Sequence, residues 1–169
     1  LSKSKVSNIN NNVKIVYDGK SKKPSMKVTY KKTTLKEGKD YSVTYGENKK
    51  SGKGTITLYG MGNFTGIKSA TFKIYPSKVT GEKVTKQTTS TLTLSWKKQD
   101  GVSGYRIYRA TSSNGKYTYI GSTSSKVNTY TDKRLTRNKT YYYKIRAYKN
   151  LNNEKLYGDY SKVLKAKTK

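Results

Sequence analysis

NTYTDKRLTRNKTYYYKIRAY, residues 128–148, is the stretch on which the fold turns. Its second half alternates. Tyr141, Tyr143, Ile145 and Ala147 fall to one side, and Tyr142, Lys144, Arg146 and Tyr148 to the other. A period of two, with one apolar and one basic side, marks a strand that faces a core on one side and water on the other.

The same alternation recurs outward in both directions. Short runs of Val, Thr, Tyr, Ile and Leu alternate with Lys and are separated by Gly, Asn, Asp and Ser clusters. This predicts strands at 13–17, 26–30, 41–46, 53–60, 67–75, 91–97, 104–110, 117–123, 128–131, 140–149 and 161–168. So many short strands exceed one sandwich and suit two. IKSATFKIY at 67–75 reads as a closing strand, and Pro76, which has no N–H to donate, interrupts pairing after it. The expected architecture is all-β: two tandem antiparallel β-sandwich modules, residues 1–75 and 76–169.

Composition sets the terms of the core. Only 31% of the 169 residues are hydrophobic, and mean hydropathy is −0.95. That balance with high charge points toward disorder, but 17 Tyr and only 2 Pro argue for small, Tyr-rich cores. The formal net charge is +28, with 37 Lys and Arg against 9 Asp and Glu. It is spread over both halves: 16 Lys against 4 acids before residue 76, and 21 Lys and Arg against 5 acids after it. Such a chain is drawn to polyanions of any kind.

Chemistry is constrained as firmly. There is no His and no Cys, which removes the usual general base, thiol nucleophiles and thiolate metal sites. Asp18, Asp40, Asp100 and Asp132 are read as sitting in or beside turns, where Asp is favoured structurally. No Asp-x-Asp loop suggests calcium, and GKGT at 52–55 lies in a hairpin rather than before a helix. Asn63-Phe64-Thr65 and Asn138-Lys139-Thr140 fit the glycosylation sequon. The chain is expected to be no enzyme and to need no cofactor and no metal. The missing disulfide in a sandwich of this size favours a bacterial source or a reducing compartment. No run approaches the roughly 18 apolar residues of a membrane span. The chain opens on Leu1 without a signal peptide and is expected to be a mature product or a fragment.

Residues 76–169 resemble a fibronectin type III domain. The resemblance rests on TLTLSW at 91–96, GYRIYRATSSNGKYTYIGST at 104–123, the 128–148 segment and YGDYSKVLKAKT at 157–168. It places Trp96, Tyr105 and Ile107 in the core, a turn at SSNG (112–115), and Leu164 and Ala166 inward on the closing strand. Leu135, six residues before Tyr141, resembles the tyrosine corner of sandwich folds, in which the phenol bonds back to the connecting backbone. The family implies a spacer or interaction role and no chemistry. Residues 1–75 resemble small Ig-like repeats of Gram-positive surface proteins. That likeness is carried by VYDGKSKKP at 16–24, LKEGKDYSVTYGEN at 35–48 and GTITLYGMGNFTGIKSATFKI at 54–74. Gly19 and Gly38 there suit turns of positive φ.

If the fibronectin-like strand order holds, one surface combines charge with aromatic rings. Arg106 and Tyr108 point outward beside Tyr142, Lys144, Arg146 and Tyr148, with Lys165 and Lys167 outward on the last strand. Such a face can stack sugars or bases and pair with phosphates or carboxylates. The alternative is that cross-strand Tyr and Lys only stabilise and solubilise an exposed sheet. The leading expectation is a monomeric spacer, display or adhesion segment of a larger protein, extracellular or wall-associated. The second is a binding module for anionic polymers, a wall polymer such as teichoic acid or an acidic glycan, which could be ancillary to a cell-wall enzyme; a host surface protein is a further candidate partner. Specific nucleic-acid binding is disfavoured, because no recognition motif accompanies the diffuse charge.

Overall fold

The computed structural model describes residues 1–169, the side chain of Asn11 excepted. The chain divides into two compact units, Leu1–Tyr75 and Pro76–Lys169. The described residues form strands and one 3-10 turn, Ile9–Asn12. Among them no helix is long and apolar enough to cross a membrane.

The first unit holds β1 (Lys5–Ser7), β2 (Ile15–Val16), β3 (Lys27–Tyr30), β4 (Thr33–Thr34), β5 (Tyr41–Tyr45), β6 (Gly52–Gly60) and β7 (Ile67–Tyr75). One sheet runs β1-β3-β4 and the other β2-β7-β6-β5. The opening segment therefore serves both sheets. β1 pairs antiparallel with β3, and β2 runs parallel to β7, a local departure from the antiparallel expectation. Tyr41, Ile56, Leu58 and Ile74 are buried between the sheets with Val28 and Leu35. Gly19 and Gly38 both have positive φ, 83° and 79°, as their turns demand.

The second unit holds β8 (Lys83–Gln87), β9 (Leu92–Ser95), β10 (Gly104–Ala110), β11 (Thr118–Ser124), β12 (Thr129–Asp132), β13 (Thr140–Leu151), β14 (Glu154–Tyr157) and β15 (Leu164–Lys167). β12-β9-β8 packs against a sheet ordered β11-β10-β13-β14, with β15 also on β13. Strict alternation makes β13 the spine of this sheet: Tyr141, Tyr143, Ile145 and Ala147 are buried and their neighbours half-buried. Trp96, just past β9, is 2% exposed and meets Tyr105 edge-on at 5.3 Å. The tyrosine corner is present, with the Thr136 N–H donating to the Tyr141 hydroxyl at 2.9 Å.

Two sequence expectations need correction. The closing strand is shorter than 161–168, spanning only Leu164–Lys167. Tyr157 belongs instead to β14, which folds back on β13 through the two-residue turn Asn152–Asn153, where Asn152 takes φ 44°. β1, β4 and β8 were also not expected as strands, being short and weakly alternating. Asp132, expected in or beside a turn, ends β12 and is 5% exposed.

Gly104 pairs on both sides, with Ser124 and with Tyr148. A Cβ there would press into the Thr123 carbonyl oxygen and lie 2.8 Å from the Tyr148 hydroxyl. Gly104→Ala is therefore expected to destabilise the second unit by about 1–3 kcal/mol, the usual range for overpacking. The urea unfolding midpoint measures it, and an unchanged midpoint would contradict this close approach.

Candidate binding face

The outward side of the β11-β10-β13-β14 sheet is laid out in rows by its register. Tyr148 opposes Gly104 on one side and Tyr157 on the other. The next row brings Arg106 directly opposite Arg146. Then Tyr108 stands between Tyr119 and Lys144. Tyr142 opposes Ala110 and Lys165, and Lys167 lies opposite Thr140 at the far end. Rows along a strand repeat every two residues, about 6.8 Å.

Two guanidiniums facing each other across strands would repel in isolation. Here each rests on tyrosine rings. The Arg106 guanidinium carbon lies 5.0 Å from the Tyr119 ring centre and 5.2 Å from that of Tyr157. That of Arg146 lies 4.0 Å from Tyr157, 4.7 Å from Tyr160 and 5.1 Å from Tyr108. Arg146 also donates from Nε and Nη2 to the Tyr108 hydroxyl, at 3.1 and 2.7 Å. Each cation–ring contact is worth about 0.5–2 kcal/mol, depending on how dry it is. The rings support one another: Tyr108 meets Tyr119 edge-on at 5.8 Å and Tyr160 at 5.2 Å. Burial pushes the Tyr160 phenol above its ordinary pKa against the pull of the Arg146 guanidinium. It stays a neutral hydroxyl at physiological pH.

The eight residues singled out from sequence thus lie on one sheet, but they do not form one cluster. Arg106, Tyr108 and Arg146 are in mutual register or contact at its centre. Tyr108 is itself covered, at 7% exposure, so its ring is a support and not a stacking surface. Lys144 turns to Tyr117, with its Nζ 4.2 Å from the ring centre. Tyr148 packs beside Tyr157 at 6.3 Å, and the Lys155 Nζ lies 5.3 Å from the Tyr148 ring centre. Lys165 and Lys167 are exposed at the β15 edge.

Tyr119, Tyr157 and Tyr160 were absent from the sequence expectation and, with Tyr108, supply the rings on which the two arginines rest. The Asn-Asn turn before β14 was a legible sign for Tyr157, because two-residue hairpins favour Asn at positive φ. Tyr119 was hidden by an irregularity in the β10–β11 register between Ile107 and Tyr108.

The other polar cluster of this unit is structural. Arg109 Nη1 donates to both carboxylate oxygens of Asp132, at 3.1 and 3.0 Å, and the Tyr143 hydroxyl donates to Asp132 Oδ2 at 2.8 Å. Among the described residues, no group of three or more acids could hold a metal ion.

The family model of the fibronectin type III domain matches residues 77–163, just over half of the chain. A solved fibronectin type III domain of human fibronectin type III domain containing protein 3 is 24% identical. That match covers 56% of this chain and 86% of that one, with a TM-score of 0.45. Domains A168–A170 of titin are 14% identical, covering 98% of this chain and 66% of that one, with a TM-score of 0.48. No curated protein matches the chain. Through its second unit, the chain belongs to the fibronectin type III family.

Proposed function

We propose that this chain is a non-catalytic spacer, display or adhesion segment of a larger bacterial protein, secreted or held at the cell surface. Fibronectin type III domains are common in extracellular proteins and are generally structural or binding modules. The observation that carries the reading is that each unit has a core of its own, around Ile56, Leu58 and Ile74 in one and Tyr105, Tyr143 and Ile145 in the other. The first unit, two sheets around one small core, fits the Ig-like repeat that its sequence resembles. Deleting residues 1–169 from the parent chain is expected to lower the surface accessibility of what that chain carries, measured by antibody labelling of intact cells. Unchanged labelling would overturn the spacer reading.

The tyrosine-supported arginines favour a second activity, binding of an anionic polymer at the β11-β10-β13-β14 face. With a net charge of +28, weak polyanion association is expected from charge alone, so location is the informative measurement. Replacing Arg106, Lys144 and Arg146 with Gln is expected to weaken binding about tenfold or more and to flatten its salt dependence, since fewer counterions are released. Replacing Lys23, Lys27 and Lys49, exposed on the first unit, removes the same charge and is expected to do less. Lys22 is unsuited to this control, being ion-paired with Asp18 at 2.6 Å. Equal losses from both sets, by salt-dependent titration, would reduce the effect to diffuse charge.

A further inference from the structure

The residue types at the centre of this face are selective. The chain has 32 Lys and only five Arg, and all five Arg lie in the second unit. Two of them, Arg106 and Arg146, form the central row. Lysine suffices for a diffuse field. Arginine adds a planar fork that stacks on rings and takes a carboxylate with two parallel hydrogen bonds.

Arg109 shows one guanidinium holding a ring and a carboxylate together, here through a single nitrogen. Its guanidinium carbon lies 5.4 Å from the Tyr141 ring centre while its Nη1 reaches both oxygens of Asp132. Arg106 and Arg146 are set on rings at similar distances, but on the outward side of the sheet.

The flanks of the pair point to what accompanies the carboxylate. Tyr119, against Arg106, is 51% exposed, and Tyr160, against Arg146, is 38% exposed. Both are propped edge-on by the buried Tyr108, which holds their planes without covering them. Half-open rings beside paired guanidiniums suit a ligand with both an apolar C–H face and a carboxylate. A uronic-acid pyranose has both. A polyphosphate chain has charge but no apolar face to lay on a ring.

We propose that Arg106 and Arg146, with Tyr119 and Tyr160, form a grip for uronate units of an acidic polysaccharide. The guanidiniums hold the carboxylates and the two exposed rings stack the sugars. This rests on the reading of the face as a site for anionic polymers and narrows it to carboxylated sugars.

The test uses the full chain with polygalacturonate and with polyphosphate of equal charge number, titrated at about 0.15 M salt, where exposed long-range attraction is screened. Polygalacturonate is expected to bind about tenfold more tightly. R106K/R146K keeps the net charge and removes the forks. It is expected to lose about tenfold on polygalacturonate, the worth of one charge-assisted hydrogen bond, and less than about twofold on polyphosphate. Y119S/Y160S alters only exposed rings, so it carries the test if the arginine variant fails to fold. It is expected to lose about fivefold on polygalacturonate alone, at the low end for a lost stacking contact. Equal binding of the two polymers, or variants that leave polygalacturonate binding unchanged, would overturn the uronate grip and leave the broader anionic-polymer reading standing. No binding of either polymer even at low salt would overturn both.

Discussion

Asp132→Ala is expected to destabilise the second unit by about 3 kcal/mol, the low end of the range for breaking a buried ion pair from one side. The carboxylate is 5% exposed and accepts from Arg109 Nη1 and from the Tyr143 hydroxyl. Two effects combine when it is removed. The Tyr143 hydroxyl, on a residue with no exposed surface, loses its acceptor, and a buried orphaned donor costs about 1–3 kcal/mol. Arg109 loses its counter-charge, but its side chain is 31% exposed and can turn to water, which keeps the total near the low end. Asp132→Asn preserves an acceptor for Tyr143 and is expected to cost about half as much, consistent with a neutral bond replacing a charge-assisted one. Urea unfolding followed by Trp96 fluorescence reports on this unit alone, since Trp96 is the single tryptophan. A loss below about 1 kcal/mol for the Ala variant would show that the cluster is solvated and not a buried anchor.

The same residue shows where sequence reading stops. Asp132 sits in Thr-Asp-Lys-Arg, a turn-like context, and nothing local reveals its burial. Its partners lie 23 and 11 residues away on β10 and β13 and are set by strand order. β13 was legible because its two faces differ so sharply, apolar inward and basic outward. The corner was legible because its spacing is local: Leu135 is buried and Thr136 bonds to Tyr141, five residues on. The central Arg106–Arg146 row followed once β10 and β13 were taken as neighbours. Its aromatic setting did not, because Tyr119 depends on an irregular register and Tyr160 on the chain after β14 running back along β13, where Ser161 N–H bonds to the Ile145 carbonyl. Period-two patterns report which face a residue occupies. They do not report which third strand or connecting loop covers it.

Alkaline pH is expected to destabilise the second unit from about pH 10 upward. Burial, reinforced by the Asp132 hydrogen bond, holds the Tyr143 phenol far above its ordinary pKa. Burial raises Tyr105 and Tyr130 as well, the first against a hydrogen bond from the Gln99 backbone and the second with Asp132 adding to the shift. A group whose pKa is raised on folding contributes stability that is complete below its unfolded pKa, about 10 for tyrosine, and is lost as pH climbs above that value. In this window the unfolded chain releases the proton and the folded one retains it. A phenol removes about 1.4 kcal/mol per pH unit between its unfolded and folded pKa values. Tyr143 alone therefore accounts for about 2–3 kcal/mol by two units above that point, and Tyr105 and Tyr130 add to it in the same direction. The opposing effect is relief of repulsion as lysines discharge near pH 10.4. It acts between exposed charges and fades at about 1 M salt, where the screening length is near 3 Å, while the buried phenols are insensitive to salt. Unfolding free energy measured from pH 8 to 12 in high salt is therefore expected to be flat to about pH 10 and to fall steeply beyond it. Tyr143→Phe is expected to be less stable at pH 8, because Asp132 loses a donor, yet to fall less steeply above pH 10, because one proton no longer separates the two states. Parallel falls for the variant and the parent chain would show that Tyr143 ionises as readily folded as unfolded, and the buried Tyr143–Asp132 bond would then have to be abandoned.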